Sequence, residues 1–86
     1  MHIDRSRRFK KQYQKLPKSI QVRADARIRL FLTDPFNETL RNHPLSGEYA
    51  ECRSFNVTGD YRIIYEENNG FIEFLLIGTH DELYGT

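Results

Sequence analysis

The stretch from Ser54 to Tyr65 constrains the fold of this chain most strongly, because apolar and polar residues alternate on both sides of a short turn sequence. The turn sequence is Thr58-Gly59-Asp60, which is rich in residues that favour tight turns. Alternation with a period of two is typical of strands that bury one face. We therefore predict two antiparallel strands joined by a tight connection.

A third strand is predicted directly after this hairpin. Asn68-Asn69-Gly70 supplies residues that tolerate positive φ angles, and the run Phe71–Ile77 is too apolar for anything except a buried strand. The stretch from Tyr49 to Tyr84 is therefore predicted to contain a three-stranded antiparallel meander, whose first strand begins at about Tyr49.

Two amphipathic helices are predicted before the meander. Ser6 is a suitable N-cap for the first helix, which has an apolar stripe formed by Phe9, Tyr13 and Leu16. Pro17 suits the first turn of the second helix, which ends at Asp34-Pro35. The apolar residues of this helix follow helical spacing: Ile20, Ala24, Ile28, Phe31 and Leu32. The two helices are predicted to form a hairpin that covers the apolar face of the meander.

The remaining segments are short. Met1–Arg5 is a candidate edge strand, and Pro35–Gly47 is predicted to be a loop with two apolar anchors, Leu40 and Leu45. Thr79 followed by Glu82 matches a capping box, which predicts a final helical turn. Residues 1–86 are thus expected to form a single α+β domain, in which an N-terminal helical hairpin packs on a small antiparallel sheet.

The net charge of +1 conceals an asymmetry between the two halves of the chain. Residues 1–43 contain 11 Lys and Arg against 4 Asp and Glu, whereas residues 44–86 contain 2 against 8. The basic half can attract a polyanion, although basic helices packed beside an acidic sheet would give the same composition. No apolar run or leader-like segment predicts a membrane span or a secretory signal. The lone cysteine, Cys52, is expected to face outward on the first strand, and it favours a reducing, cytoplasmic location.

Paired histidines are the main candidates for chemistry. The three histidines have no metal-ligand spacing, and neither a phosphate-binding Gly-rich loop nor a catalytic-cysteine pattern is present, so no metal or other cofactor is expected. His43 lies on the loop before the first strand and His80 lies on the segment after the third, so both side chains can reach one surface. Arg62 and Arg53 are the available cations on the sheet. Tyr84 can donate a proton or stack on a base. Two histidines with a nearby Asp would suffice for metal-free RNA cleavage. Alternatively, these residues have structural roles only. His43 then makes a hydrogen bond within its loop, and His80 makes one at the start of the final helical turn. Tyr84 packs against the protein, and Arg62 forms a cross-strand ion pair.

Three motifs stand out in the chain: Asn42–Gly47 (NHPLSG), Gly59–Tyr65 (GDYRIIY) and Gly78–Gly85 (GTHDELYG). Together they resemble the RelE/ParE superfamily of bacterial toxins, and most closely its YafQ-like branch. The second motif is typical of the whole superfamily, and the other two are specific to the branch. Lys15-Leu16-Pro17 at the helix junction also fits, so the similarity covers essentially the whole chain.

The resemblance implies a toxin of a type II toxin–antitoxin system that acts as a ribosome-dependent, metal-independent mRNA endonuclease. Its implied partners are a small acidic antitoxin, the ribosome and mRNA, with operator DNA reached only through the antitoxin complex and no membrane. The implied catalytic set comprises His43 and His80 as the acid–base and phosphate-binding pair, Asp60, Arg62 at the phosphate, and Tyr84 near the scissile nucleotide.

The chain departs from the YafQ-like branch at two positions, because Ser54 stands where an acidic residue is usual and Asn56 where a histidine is usual. We therefore expect a site that is weaker or differently arranged. Two other functions stay open: a ParE-like gyrase inhibitor, which has no need of paired imidazoles, and a degenerate homologue that binds only antitoxin or operator DNA. Contacts with RNA or the ribosome are expected at eight basic residues: Arg7, Arg8, Lys10, Lys11, Arg23, Arg27, Arg29 and Arg53.

Overall fold

The computed structural model describes residues 2–85 and confirms the predicted α+β fold. Met1, the first residue of the predicted edge strand, and Thr86 lie outside the described residues. The helices and strands are β1 (His2–Arg5), α1 (Arg7–Gln14), α2 (Lys18–Thr33), β2 (His43–Pro44), β3 (Arg53–Asn56), β4 (Tyr61–Asn68), β5 (Phe71–Thr79) and α3 (His80–Tyr84). Two short 3-10 helices, Glu38–Leu40 and Gly47–Tyr49, flank β2.

The sheet has five strands in the order β1-β5-β4-β3-β2. The predicted meander forms its centre, and the predicted edge strand is confirmed as β1, which runs parallel to β5 while all other pairs are antiparallel. The prediction that Pro35–Gly47 is only a loop is wrong, because His43–Pro44 pairs with β3. The predicted strand start at about Tyr49 is also wrong. Residues between Leu45 and Cys52 form a loop that is closed by a hydrogen bond from the Leu45 N–H to the Cys52 carbonyl (3.1 Å).

The predicted local signals at the helix starts and turns are present. The Ser6 Oγ accepts the Phe9 N–H (3.0 Å) and donates to the Leu75 carbonyl (2.7 Å), so the cap also ties α1 to the sheet. Pro17 stands at the N-cap of α2, one position before the predicted first turn. At the β4–β5 turn, Asn69 and Gly70 adopt positive φ angles of 45° and 89°. No helix among residues 2–85 has the length and apolarity needed to cross a membrane.

Two apolar clusters cover the two faces of the sheet. The larger lies under α1 and α2 and is centred on aromatic side chains from both layers: Phe9, Phe31, Phe55, Tyr65 and Phe74. The smaller lies on the opposite face and consists of Cys52, Ile64, Leu76 and Leu83. Both faces of β5 are covered, and six of its nine residues are apolar, so the strand lacks the strict alternation of a half-exposed strand.

Cys52 does not face outward as predicted. It is only 7% exposed, because α3 returns over this face of the sheet and Leu83 joins the same cluster. Burial raises the pKa of the Cys52 thiol above its ordinary value, and the nearby carboxylates of Glu66 and Glu51 raise it further.

Candidate active site

A cleft of about 760 Å³ opens on the face of the sheet that is opposite to α1 and α2. Adjacent residues of β3, β4 and β5 form its floor. Asn56 pairs with Arg62, and Arg62 pairs with Gly78. The β2 segment and α3 form the two walls. The lining residues are Arg41, Asn42, His43, Asn56, Gly59, Arg62, His80 and Tyr84.

His43 is held at the cleft by its own loop. Its Nδ1 lies 2.7 Å from the Arg41 carbonyl oxygen. A carbonyl oxygen only accepts hydrogen bonds, so Nδ1 carries the proton and, in the neutral ring, Nε2 keeps a free lone pair. Arg41 itself has a φ angle of 50°, which is uncommon for a residue other than glycine and turns the chain sharply just before the histidine.

His80 is the first residue of α3 and is fixed by the predicted capping box. The Thr79 Oγ1 accepts the Glu82 N–H (3.2 Å), and the Glu82 Oε1 accepts the Thr79 N–H (2.8 Å). The His80 Nδ1 lies 3.8 Å from the Asp81 carboxylate, and its ring packs against Tyr84 with a centroid distance of 4.6 Å. The capping box therefore places an imidazole and an aromatic ring side by side at the cleft wall.

Arg62 reaches the floor of the cleft from β4. Its Nη1 donates to the Asn56 Oδ1 at 2.9 Å. This partner is neutral, so the bond orients the guanidinium without cancelling its charge. Asn56 thus takes part in the site, although it is one of the two departures from the YafQ-like pattern.

Ser54, the other departure, is not among the cleft-lining residues. It is fully buried on β3, opposite His43 in the register, and its Oγ has no hydrogen-bond partner among residues 2–85. A buried hydroxyl without a partner loses its hydration and gains nothing in exchange.

Asp60 and Arg53, two further predicted residues, also do not line the cleft. Asp60 is exposed on the β3–β4 turn, where its main-chain carbonyl accepts the His80 N–H (3.1 Å). The Arg53 Nε donates to the Asn42 Oδ1 (2.8 Å), and its guanidinium lies 5.2 Å from the centre of the Phe36 ring. The other seven predicted RNA contacts are on α1 and α2, behind the sheet as seen from the cleft.

Arg41, Asn42 and Gly59 also line the cleft, and they are not among the catalytic residues predicted from the sequence. Asn42 was visible only as the first residue of the NHPLSG motif, and Arg41 carried no signal. Among residues 2–85, no cluster of His, Cys, Asp or Glu has an arrangement suited to a metal ion.

Comparison with known proteins agrees with this fold. One protein-family model matches residues 1–85, and it describes the bacterial toxin YafQ of type II toxin–antitoxin systems. No curated protein sequence matches the chain significantly.

Three solved structures illustrate the similarity of the fold. YafQ from E. coli strain BL21(DE3) has a TM-score of 0.84 and 23% identity, over 96% of this chain and 97% of that chain. YafQ in the E. coli DinJ–YafQ toxin–antitoxin complex has a TM-score of 0.81 and 25% identity, over 96% of each chain. The archaeal RelE–RelB complex from Pyrococcus horikoshii OT3 gives a TM-score of 0.72 and 23% identity, over 91% of this chain and 92% of that chain.

Proposed function

Because the chain belongs to the YafQ family of mRNA-cleaving toxins from bacterial type II toxin–antitoxin systems, we propose that its cleft cuts mRNA on the ribosome without a metal ion. The observation that supports this most strongly is the convergence of His43, Arg62 and His80 from three separate segments on one cleft. Transesterification of RNA needs a base, an acid and a cation at the phosphorane, and two imidazoles and a guanidinium can supply them.

In the proposed reaction, His43 is the base, because its neutral ring presents the Nε2 lone pair. It removes the proton of the ribose 2′-hydroxyl, and the 2′-oxygen then attacks the phosphorus. Arg62 stabilises the charge on the phosphorane. His80 protonates the 5′-oxygen as the P–O5′ bond breaks, which leaves a 2′,3′-cyclic phosphate and a 5′-hydroxyl.

Tyr84 and Asp60 complete the proposed catalytic set. The Tyr84 ring, beside His80, offers a surface on which a base next to the scissile phosphate stacks. Asp60 is joined to His80 through its main-chain carbonyl, and we assign to it the positioning of the first turn of α3, which carries His80.

We propose a small acidic antitoxin as the partner of this toxin, with operator DNA reached only through their complex. The support is the E. coli complex of YafQ with DinJ and the archaeal complex of RelE with RelB. We further propose that residues 1–86 act as one domain in the cytoplasm, where ribosome-bound mRNA is found.

We propose that basic side chains of α1 and α2 contact RNA of the ribosome. Six of them are exposed: Arg7, Arg8, Lys10, Lys11, Arg23 and Arg29. Arg27 is half-buried. Each phosphate contact that is lost should reduce the salt dependence of ribosome binding by about one unit of the log–log slope.

The test compares His80→Ala with His2→Ala in a purified translation system that contains a defined mRNA. His2 is a matched control, because its ring pairs with Asp4 on the edge strand and does not line the cleft. We expect cleavage to fall by a factor of about 100 to 10,000 in His80→Ala and to stay unchanged in His2→Ala. An mRNA with one 2′-deoxyribose at the cleavage site should resist cutting there.

Full activity of His80→Ala, or cutting of the 2′-deoxy mRNA at the substituted site, would contradict the proposed mechanism. Primer extension on cellular mRNA after brief induction extends the test to the cell. Cuts confined to translated frames support the nuclease, whereas DNA damage without mRNA cuts would instead indicate a gyrase inhibitor.

A further inference from the structure

We propose that Asn42, held by Tyr65 and Arg53, is the positioning residue that fixes His43 for catalysis. This inference rests on the proposed nuclease function, since it concerns the orientation of the base. It gives Arg53 a structural task in place of direct RNA contact.

The His43 side chain needs such support, although pairing with Ser54 of β3 holds the backbone of the residue. The residue is exposed, and the hydrogen bond that orients its ring goes to the carbonyl of Arg41, two residues earlier in the same loop. The direction in which Nε2 points therefore depends on the backbone of residues 41–43. Whatever fixes this backbone also fixes the base.

Asn42 lies at the centre of that backbone, and its side-chain amide makes three hydrogen bonds. Nδ2 donates to the Pro35 carbonyl (2.9 Å) and to the Tyr65 hydroxyl (2.8 Å), while Oδ1 accepts from the Arg53 Nε (2.8 Å). A carbonyl on one side and an N–H donor on the other fix which end of the amide is nitrogen. Glutamine, aspartate or alanine at this position would lose at least one of these bonds.

The two anchors of Asn42 differ in how firmly they are packed. Tyr65 is only 2% exposed, and its ring packs against Phe31 and Phe55 with centroid distances of 4.9 Å and 6.0 Å. The Arg53 guanidinium lies over the ring of Phe36, which is itself 67% exposed, so Tyr65 is the firmer anchor. The network therefore connects the His43 loop directly to the packed aromatic core under α2.

The decisive variants are Tyr65→Phe and Arg53→Lys. Tyr65→Phe removes only the hydroxyl that accepts from Asn42. Arg53→Lys keeps a positive charge that can contact RNA, but it removes the Nε–H donor that binds the Asn42 Oδ1. A role in RNA binding should therefore survive this change, whereas a role in positioning Asn42 should not. Tyr61→Phe is the matched control, because Tyr61 is in the same strand and outside the network.

Two measurements are made on each variant. Steady-state cleavage of ribosome-bound mRNA should show kcat reduced by about 10- to 100-fold with KM nearly unchanged, because misplacing a base slows the chemical step. The double variant should be little worse than either single variant, since both remove the same support. Long-range ¹⁵N NMR should show His43 protonated at Nδ1 in the wild type, and a mixture of both neutral tautomers in the variants.

Unchanged kcat together with an unchanged His43 tautomer in both variants would overturn the proposal. A raised KM with unchanged kcat in Arg53→Lys or Tyr65→Phe would also overturn it, in favour of an RNA contact. If the wild-type protein cuts no RNA, the proposed function fails, and the NMR measurement still decides whether the network orients His43. Circular dichroism verifies that each variant is folded. If Arg53→Lys does not fold, Tyr65→Phe still tests the proposal, because it keeps the packed aromatic ring.

Discussion

Replacing Ser54 by alanine should make this protein more stable. The Ser54 hydroxyl is completely buried and has no partner among the described residues. An unsatisfied buried polar group costs about 1–3 kcal/mol, which the substitution recovers. Removing one oxygen leaves a gap of roughly 10–15 Å³, which costs only about 0.3 kcal/mol at ~24 cal/mol per Å³. The net gain in the free energy of unfolding should therefore be about 1 kcal/mol or more.

Ser6→Ala is the matched control for this prediction. The Ser6 hydroxyl caps α1 and donates to the Leu75 carbonyl, so its loss should reduce stability by about 1–2 kcal/mol. Urea unfolding followed by circular dichroism measures both variants, because the chain has no tryptophan for fluorescence. For a domain of this size, 1 kcal/mol corresponds to about 4–8 °C in Tm. A Ser54→Ala protein less stable than the wild type would show that the hydroxyl is satisfied, and that our account of its burial is wrong.

Three further predictions concern titration and capping. Burial raises the pKa of Tyr65 above its ordinary 10.0, and a hydrogen bond to Asp25 is the main reason that the pKa of Tyr13 is raised. Both tyrosines ionise at a lower pH in the unfolded chain than in the folded protein. Their contribution to the free energy of unfolding is therefore complete below about pH 10 and is lost as the pH rises through the folded-state pKa values. Urea midpoints should fall over that pH range, and less steeply in Tyr65→Phe. Iodoacetamide should alkylate Cys52 slowly in the native protein and much faster in urea, because burial disfavours the thiolate. Equal rates would contradict this. Thr79→Ala should lower the free energy of unfolding by about 0.5–2 kcal/mol through loss of the capping box, and an unchanged urea midpoint would refute it.

Local signals in the sequence were sufficient for most of the fold. The N-cap at Ser6, the turn at Asn69-Gly70 and the capping box at Thr79 act within a few residues, and each appears as predicted. The errors concern features that depend on distant parts of the chain. The strand at His43 exists only because β3 lies beside it, and Cys52 is buried only because α3 folds back over it.

The candidate site was predictable to a similar extent. Four cleft-lining residues, His43, Arg62, His80 and Tyr84, were identified from residue type and position along the meander. The suggested ion pair of Arg62 was wrong, since its hydrogen-bond partner is Asn56 across the strand pair. No local pattern indicates the hydrogen bonds of Asn42, because one of its partners is the hydroxyl of a tyrosine 23 residues away.

The parallel pairing of β1 with β5 has a consequence for how a cell can make this protein safely. β1 cannot pair until its partner β5 has been synthesised, and His80 is synthesised after β5. While the chain emerges from the ribosome, neither the edge of the sheet nor the second wall of the cleft can form. The site should therefore stay incomplete in the nascent chain until β5 and α3 have been synthesised and have folded against the rest of the domain.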